Sequence, residues 1–400
     1  MTPVGSFLTP APTPAAPSGP QGSRSGPPWL GFELDATHEA HEPPEARGLR
    51  RDGGRLLVSD GRDAPVDTWF SELGRFLRAG DVVVVNTTAT IPAALDGELP
   101  GGTPVVVHLS TLLPGDLWLV EVREPMGDST RPYGVSDEVT VRLAAGAAVR
   151  LLVPFGASRR LWIASLDLGP GFDRWHRHPG GGSGAARDVL LDDSPPTGVL
   201  ELLAAHGRPI RYRHVPEAWP ISAYQTIFAR HPGSAEMPSA SRPFSPEVVT
   251  ELVGRGIVFA PLVLHTGVSS LEGGEDPYPE RYRVPSTTAA LLNARRRDGG
   301  RVIAAGTTVV RALATVSDEH GDVHAGAGWT DVVVTGDSDL TSVDGLLTGW
   351  HEPESTHLLM LEAFADHDVL RRAYRAALDG GYLWHEFGDS HLLLRPRAQR

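Results

Sequence analysis

From about residue 220 to the C-terminus, apolar runs typical of buried strands alternate with segments of helical spacing. Strands that alternate with helices predict a mainly parallel sheet, which binds its ligands at the carboxyl ends of its strands. Apolar runs at 55–59 and 82–85, with helical spacing over 67–79, extend this pattern towards the N-terminus. The later predicted strands are 256–264, 301–305, 331–334 and 390–394, and the later predicted helices are 245–254, 287–297, 307–316, 355–365 and 367–378.

Between about 92 and 213 the pattern changes to short β-rich runs separated by Gly and Pro turns. Such spacing predicts a small barrel or sandwich. The predicted fold class is therefore α/β: a mainly parallel sheet domain from 31–91 and 214–400, with an inserted β-barrel-like domain at 92–213. The β-rich runs are 104–109, 117–123, 139–143, 149–153, 160–166 and 188–191.

Composition limits the chemistry. The 400 residues include no cysteine, which excludes disulfides, thiolate nucleophiles and Cys-based zinc sites. No His spacing indicates a metal site, and a formal net charge of −13 argues against a generally basic surface for nucleic acid. Residues 1–30, rich in Pro, Ser, Gly and Thr, predict a disordered tail without a secretory signal. These features, with no long apolar run, are compatible with a cytoplasmic location.

The first candidate site is the turn where the predicted strand 301–305 meets a helix. Gly306 permits a tight turn, Thr307 and Thr308 supply hydroxyl donors, and Arg311 follows on the helix. Because N–H groups at a helix N-terminus attract anions, the turn is suited to a ligand carboxylate or phosphate. A plain strand–helix turn is the alternative, and the local sequence favours it.

A second candidate lies before the predicted helix 355–365. Trp350 and His351 stand in the preceding loop, and Pro353 marks the helix start. A histidine there is suited to act as a base or ligand contact, and Ser355 and Thr356 can donate to an anion. The alternative is a capping segment with an incidental histidine.

Three weaker candidates complete the set. His265 ends a predicted strand and Gly267 opens the next turn, although a buried, satisfied histidine is the commoner case. The turn-rich segment 224–244 contains Tyr224 and Ser239, which suit close approach of a ligand or an ordinary surface loop. Asn86 follows the strand 82–85 and indicates a connection between the two domains.

Taken in order, these segments resemble the motifs of the S-adenosylmethionine:tRNA ribosyltransferase-isomerase (QueA) family, from about Phe32 to Leu394. No single motif is decisive, but their order is specific. The matching residues are Asn86-Thr87-Thr88 with Ile91-Pro92-Ala93, Tyr224-Gln225-Thr226, Met237-Pro238-Ser239-Ala240 with Phe244, Leu264-His265-Thr266-Gly267, Gly306-Thr307-Thr308 with Arg311, His351-x-Pro353-x-Ser355-Thr356 and Gly388-Asp389.

The resemblance implies transfer and isomerisation of the ribosyl part of S-adenosylmethionine onto a 7-aminomethyl-7-deazaguanine base in the tRNA anticodon, giving epoxyqueuosine. S-adenosylmethionine is then a co-substrate, and no permanently bound cofactor is expected. His265 and His351 are the expected proton-transfer residues, with Glu280 as a third catalytic residue. The expected substrate-binding residues are Asn86, Tyr224, Gln225, Ser239, Phe244, Gly267, Gly306, Thr307, Thr308, Arg311, Trp350, Pro353, Ser355, Thr356 and Asp389.

The chain departs from the family pattern at Thr87, Ala89, Pro243, Tyr278 and Glu354. Two alternatives therefore stay open: a diverged enzyme that binds S-adenosylmethionine or a nucleoside and uses a small-molecule acceptor, or a non-catalytic RNA-binding protein. Arginines that converge beside the His351 cleft would favour tRNA, whereas a ring of acids would favour a small molecule. The arginines in question are Arg159, Arg160, Arg174, Arg177 and Arg295 to Arg297.

Overall fold

In the computed structural model the described residues are 30–61, 64–127, 129–156, 160–172, 194–268, 278–353 and 355–396. The predicted tail, the predicted strand 188–191 and the Gly-rich segment with Arg174 and Arg177 lie outside these ranges, apart from residue 30 at the end of the tail and a few residues flanking the Gly-rich segment. Arg159 and Glu354 also lie outside them.

The described residues form β-strands and α-helices joined by turns and short 3-10 helices, numbered here in chain order. The strands are β1 Arg55–Ser59, β2 Val66–Trp69, β3 Val82–Asn86, β4 Thr88–Thr90, β5 Ala94–Glu98, β6 Pro104–Leu113, β7 Leu117–Met126, β8 Ser129–Pro132, β9 Thr140–Leu143, β10 Ala148–Phe155, β11 Leu161–Asp167, β12 Gly207–Arg208, β13 His231–Ser234, β14 Val258–His265, β15 Glu280–Val284, β16 Val302–Ala305, β17 Gly326–Thr330, β18 Gly345–Thr348 and β19 Ser390–Leu394. The helices are α1 Thr197–His206, α2 Pro246–Gly254, α3 Ser286–Arg297, α4 Thr307–Val316, α5 His357–Leu361 and α6 His367–Asp379.

A nine-stranded sheet in the order β17-β15-β14-β3-β16-β18-β19-β1-β2 forms the centre of the larger domain. Its middle strands β14, β3, β16 and β18 are parallel, and the pairings towards both edges include antiparallel ones. The predicted α/β class is confirmed, and the sheet as a whole is mixed.

Strand β3 shows why this sheet is buried on both faces. All five of its residues are buried. Val82 and Val84 pack into one apolar cluster, whereas Val83 and Val85 pack into another. Successive side chains of a strand point to opposite faces, so a continuous apolar run places a core on each side of the sheet.

The second domain is a closed antiparallel barrel of six strands. Its order is β11-β10-β9-β5-β6-β7, and pairing of β11 with β7 closes it. Strand β8 adds to β7, and β12 adds to β5. Apolar side chains fill the interior, with Trp118 among the largest that are fully buried. The prediction of a barrel-like domain is confirmed.

Several predicted elements differ from the structure because tertiary pairing overrides local spacing. In place of a helix over 67–79, β2 pairs with β1 and a 3-10 helix covers Phe70–Arg75. The predicted strand 331–334 is not formed, because β15 pairs instead with the preceding segment β17. Helix α5 is shorter than the predicted 355–365. Helix α1 and strand β18 were not predicted.

Loops leave the carboxyl ends of β14, β16 and β18 on the side of the sheet where barrel strands β6 and β7 approach. Within the part of the chain that the structure describes, none of the helices has both the length and the apolar character needed to cross a membrane. The junction between sheet edge and barrel is where the candidate site lies.

Candidate functional site

A cavity of about 730 Å³ opens where the carboxyl edge of the sheet meets the barrel. The sheet domain contributes the loops after β14, β16 and β18, and the barrel contributes Ser110, Thr111, Arg123 and Thr130. This is the edge at which a parallel sheet is expected to bind ligands. Most of the residues singled out from the sequence meet here: Tyr224, Ser239, Gly267, Glu280, Gly306, Thr307, Thr308, Arg311, Trp350, His351, Ser355 and Thr356.

His265 does not line the cavity, although Thr266 and Gly267 beside it do. Its Nδ1 lies 2.9 Å from the hydroxyl oxygen of Thr88, and its ring packs on Gly233, where a Cβ would come within 2.7 Å of it. Burial lowers the pKa of His265 to about 3. The ring is therefore neutral and lies outside the cavity lining, and its buried Nε2 has no hydrogen-bond partner among the described residues.

Asn86 is likewise a structural residue in this geometry. Its side-chain amide donates to the carbonyl of Leu264 at 2.8 Å and accepts from the N–H of Leu264 at 3.0 Å. Asn86 thus mimics a strand residue and ties the end of β3 to the end of β14. It holds the loop that carries Thr266 and Gly267 in place.

Four more predicted binding residues lie outside the cavity lining. Gln225 exchanges two hydrogen bonds with the backbone of Thr90, at 3.1 and 2.7 Å. Phe244 is fully buried in the apolar cluster under the sheet. Asp389 accepts from the N–H groups of Arg55 and Leu383 at 2.7 and 2.8 Å. Pro353 is outside the lining as well. The first three stabilise the walls rather than face a ligand.

Arg311 and Glu280 form a buried ion pair in the cavity wall. The guanidinium also donates to the carbonyls of Val332, Thr330 and Tyr278 at 3.1, 3.2 and 3.3 Å. Glu280 accepts a second bond, at 3.3 Å, from the N–H of Gly267. Burial raises the pKa of Glu280, although Arg311 opposes the shift. Because its N–H groups bond to protein oxygens, Arg311 holds neighbouring loops together instead of binding an anion with a pair of N–H donors.

The turn at Gly306 presents the N-terminus of α4 to the cavity. Gly306 has φ 110° and ψ 152°, a backbone conformation that favours glycine, and no side chain caps the helix. Thr307 and Thr308 follow it in the lining. The first N–H groups of a helix have no partner within the helix, so this end is suited to a negatively charged ligand group.

His351 and His357 form one stacked pair in the cavity, with ring centroids 4.9 Å apart and planes 11° from parallel. The Nε2 of His351 lies 3.0 Å from the Thr348 hydroxyl, and the Nδ1 of His357 lies 3.1 Å from the Ser355 hydroxyl. Burial is the main cause that holds the pKa of His351 well below its usual value, and it lowers the pKa of His357 to about 4. Both rings are neutral bases at pH 7. His357 was not singled out from the sequence, where its place in the predicted helix 355–365 is its one visible feature.

A second group of titratable residues, here called the histidine corner, was missed by the sequence analysis. It consists of Glu39, His214, Glu352, His385 and Glu386, all in the cavity lining. His214 stacks on His385 with centroids 3.7 Å apart and planes 10° from parallel, and its Nε2 lies 2.6 Å from Glu386. The charged segments 211–214 and 385–386 are visible in the sequence, but their proximity is not.

The charge state of His214 differs from that of its stacking partner. Burial would lower the pKa of His214, but the hydrogen bond and charge of Glu386, with the charges of Glu39 and Glu352, together outweigh it and raise that pKa. Burial and His214 lower the pKa of His385 to about 4. One ring of the corner therefore carries a proton more readily than a free histidine, and the other stays neutral.

Several buried polar atoms of the lining have no hydrogen-bond partner among the described residues. They are the Tyr224 hydroxyl, the Thr266 hydroxyl, Trp350 Nε1 and His385 Nε2. Burying such groups without a partner is costly, so their grouping around one cavity indicates a polar ligand.

The lining within the described ranges contains four arginines and five glutamates. Arg295 to Arg297 end helix α3 and are outside the lining, where Arg296 donates to the carbonyls of Gly321 and Thr341. Arg160 lies 3.3 Å from Glu121, also outside it. The described arginines of this set therefore do not converge on the cleft, which is the arrangement that would have favoured tRNA. No group of three or more His, Asp or Glu suited to a metal ion occurs in the described ranges.

Known proteins resemble this chain along nearly its whole length. The family model described as "Queuosine biosynthesis protein" matches residues 30–393. An S-adenosylmethionine:tRNA ribosyltransferase-isomerase of Moorella thermoacetica is 34% identical over 372 residues, which cover 91% of this chain and 98% of the relative. One from Geobacter sulfurreducens is 32% identical over 364 residues, 88% of this chain and 96% of the relative. A crystal structure of S-adenosylmethionine tRNA ribosyltransferase from Thermotoga maritima is 24% identical, with a TM-score of 0.48, over 92% of this chain and 100% of that one.

Proposed function

This chain belongs to the queuosine biosynthesis protein family, and we propose that it acts as an S-adenosylmethionine:tRNA ribosyltransferase-isomerase at the cavity between sheet and barrel. The family expected from the ordered sequence motifs is confirmed. The observation that carries the proposal is the match along 98% of a relative of that name. A second support is the cavity, whose lining contains most of the residues expected from the motifs.

The reaction transfers the ribosyl part of S-adenosylmethionine to a 7-aminomethyl-7-deazaguanine base of tRNA and rearranges it to an epoxycyclopentanediol, a step of queuosine biosynthesis. Adenine and methionine leave. S-adenosylmethionine is consumed as a co-substrate. The chemistry needs a base for a proton on the carbon beside the sulfonium, which the positive sulfur acidifies, and a proton donor for departing adenine.

His351 is the residue proposed for both proton transfers. When its Nε2–H donates to Thr348, the Nδ1 lone pair is available to accept a proton. Its low pKa makes it a weak base but, once protonated, a strong acid towards departing adenine. His265 is not part of the cavity lining, whereas Thr266 and Gly267 beside it are. The proposal therefore assigns proton transfer to His351 and not to His265.

Glu280 and Arg311 are proposed as positioning residues. Arg311 binds one carboxylate oxygen of Glu280, and the N–H of Gly267 donates to the other. The carboxylate therefore holds protein groups in place instead of contacting a ligand. The pair fixes the loop after β14 relative to α4. The N-terminus of α4 is then held ready for an anionic group, such as the carboxylate of S-adenosylmethionine or a tRNA phosphate.

The unpartnered hydroxyl of Tyr224 and the Nε1–H of Trp350 are proposed as contacts to the nucleobases. One face of Trp350 is already covered by His391, at 4.6 Å and 7° from parallel. A base can therefore stack only on the other face of Trp350, or contact the ring at its Nε1–H edge. We further propose that the acceptor base lies in the anticodon region of the tRNA and that the protein acts in the cytoplasm.

A small-molecule acceptor is the second candidate, and one observation favours it. Glutamates outnumber arginines in the described lining, and the whole chain has a formal charge of −13. Both features weaken attraction to a polyanion. Under this alternative, the free 7-aminomethyl-7-deazaguanine base would replace tRNA as the acceptor.

The decisive experiment incubates the purified protein with S-adenosylmethionine and tRNA that carries 7-aminomethyl-7-deazaguanine. We expect one adenine released per nucleoside modified, with the added epoxycyclopentanediol detected by mass analysis of the nucleosides. Parallel reactions contain the free base instead of tRNA, or tRNA without the modified base. Adenine release with the free base alone would establish the second candidate, and no release with either acceptor would refute both.

A further inference from the structure

The histidine corner has no part in the proton transfers proposed above, yet it lies in the wall of the same cavity. Within it, the Nε2 of His385 is buried and has no hydrogen-bond partner among the residues described. The His385 side chain is only 8% exposed. A buried ring nitrogen without a partner, at the surface of a cavity, indicates a ligand atom that completes its hydrogen bonding.

The surroundings of His385 determine which kind of ligand atom this is. Its Nδ1 lies 3.7 Å from a carboxylate oxygen of Glu352. A carboxylate on that side favours the tautomer with the proton on Nδ1, which leaves a lone pair on Nε2. The ring is neutral at pH 7, because burial and the neighbouring His214 lower its pKa to about 4. His385 Nε2 is therefore an acceptor that faces a ligand donor.

Carboxylates outnumber cations within the histidine corner itself. Glu386 lies 2.6 Å from His214, and the charges of Glu39 and Glu352 also act on His214. Arg211 and Arg213 line the cavity beside the corner, and Arg211 donates to the carbonyl of Pro216. His41 bonds to the backbone oxygen of His214 at 2.6 Å. With His214 protonated, the five residues of the corner have a formal charge of −2, since three carboxylates face one imidazolium, and the two arginines beside the corner balance that charge.

We propose that the histidine corner binds a primary alkylammonium group of a substrate, with His385 Nε2 accepting one of its hydrogen bonds. An ammonium group supplies three N–H donors and one positive charge, which match the acceptor and the carboxylates. The inference rests on the proposed function, whose two substrates each carry such a group. These are the amino group of the methionine part of S-adenosylmethionine and the aminomethyl group of the acceptor base.

Two variants and one matched control test the proposal. His385→Asn removes the imidazole, and asparagine tolerates the φ of 73° at this position. Glu352→Gln removes one carboxylate from a side chain that is 63% exposed, so it leaves the fold intact. The control is Glu319→Gln, because Glu319 is an exposed glutamate that also lies 3.7 Å from a histidine, His320, outside the cavity lining.

The measurement is calorimetric binding of each substrate alone, which does not depend on turnover. The probes are S-adenosylmethionine and the free 7-aminomethyl-7-deazaguanine base, each beside an analogue that lacks the amino group. We expect His385→Asn to weaken binding of one amine-bearing probe at least about 10-fold, the loss expected for a hydrogen bond to a charged group, and Glu352→Gln to weaken it less. The affinity of the corresponding analogue should stay unchanged.

The two arms identify the source of the ammonium group. Weaker binding of S-adenosylmethionine assigns the corner to its methionine part, and weaker binding of the free base assigns it to the acceptor. If neither affinity changes more than in Glu319→Gln, or if amine-bearing probes and analogues weaken alike, the proposal is refuted. A protein that fails to release adenine would contradict the proposed function, but it would still give a result in both binding arms.

Discussion

The cavity contains two stacked histidine pairs whose chemical states differ. His351 and His357 lie near hydroxyl groups, and burial keeps the pKa of each well below its usual value. His214 and His385 lie among carboxylates, and Glu386 raises the pKa of His214 while that of its partner falls to about 4. Both pairs are nearly parallel, at 11° and 10°.

The comparison shows that stacking does not set the charge of a histidine, whereas its hydrogen-bond partner does. A hydroxyl partner cannot offset the loss of solvation on burial, so the ring stays neutral. A carboxylate at 2.6 Å can offset it. One pair is therefore suited to move a proton, and the other to receive a positively charged group.

The largest expected effect comes from His351→Asn, which removes the proposed proton-transfer residue. Turnover, measured as adenine release, should fall by about 10²- to 10⁴-fold, the usual contribution of acid–base catalysis. Binding of S-adenosylmethionine should change little. His320→Asn, at a ring that is 79% exposed, is the control. Turnover within threefold of the wild type would remove His351 from the mechanism. Neither histidine pair would then have a role in proton transfer.

Glu386→Gln tests the second pair, because it removes the carboxylate that keeps His214 protonated. A hydrogen bond to a charged group contributes about 2 kcal/mol to the free energy of unfolding, so the variant should lose about that amount near pH 6. The folded-state pKa of His214 is raised above its usual 6.5, so its contribution is complete below pH 6.5 and is lost as the pH rises through the raised value.

Glu386 sets the lower pH limit of the stabilisation that the His214–Glu386 pair provides. The folded-state pKa of Glu386 is lowered below its usual 4.5, so its contribution is present above pH 4.5 and is lost as the pH falls through the lowered value. Urea unfolding of wild type and variant at pH 6 and pH 9 measures the difference. A loss of equal size at both pH values would contradict the assignment of the charge to His214.

Thr348→Val tests whether a hydroxyl orients His351, 3.0 Å away. The swap removes a neutral hydrogen bond of about 1 kcal/mol, so turnover should fall by roughly fivefold without a change in the affinity for S-adenosylmethionine. The control is Thr250→Val, because Thr250 is an exposed threonine whose hydroxyl donates to the carbonyl of Pro246 in its own helix. A loss of substrate affinity instead of turnover would show that Thr348 contacts the ligand.

The smallest effect is a shift in titration without a change in fold. Histidine NMR signals of the wild type should show His385 neutral from pH 5 to 8, in accordance with a pKa of about 4, and His214 titrating above 6.5. In Glu386→Gln, the titration of His214 should move to lower pH, because the variant loses the hydrogen bond and charge that oppose burial and keeps only the charges of Glu39 and Glu352. Unchanged titration of His214 would mean that another carboxylate of the corner sets its charge.

The sequence predicted much of the sheet domain, because apolar runs and turn residues depend only on neighbouring positions in the chain. The apolar run 82–85 forms a strand with a core on each face, and Gly306-Thr307-Thr308 forms the turn into α4 as expected. The run 67–79 was predicted wrongly, because pairing of Val66–Trp69 with β1 outweighs its helical spacing. Spacing within a segment cannot reveal a partner strand elsewhere in the chain.

The same distinction applies to the site. The sequence alone placed Gly267 and Gly306 at one edge, because the carboxyl ends of parallel strands meet there whatever loops follow them. The strand before His351 was not predicted, so the place of His351 beside them was expected only from the family resemblance. It did not show that the ring of His265 packs on Gly233 outside the cavity lining, because the direction of a side chain at a strand end depends on the neighbouring elements.

The amino-acid sequence by itself determined the family, the α/β class with its barrel, and the loops that surround the cavity. Only the tertiary structure decided which side chains face that cavity and which of them are charged. His214 and Glu386 are 172 positions apart in the chain, yet their atoms lie 2.6 Å apart. Coulomb and desolvation energies depend on distances in space and on burial, and neither quantity is written in the order of the residues.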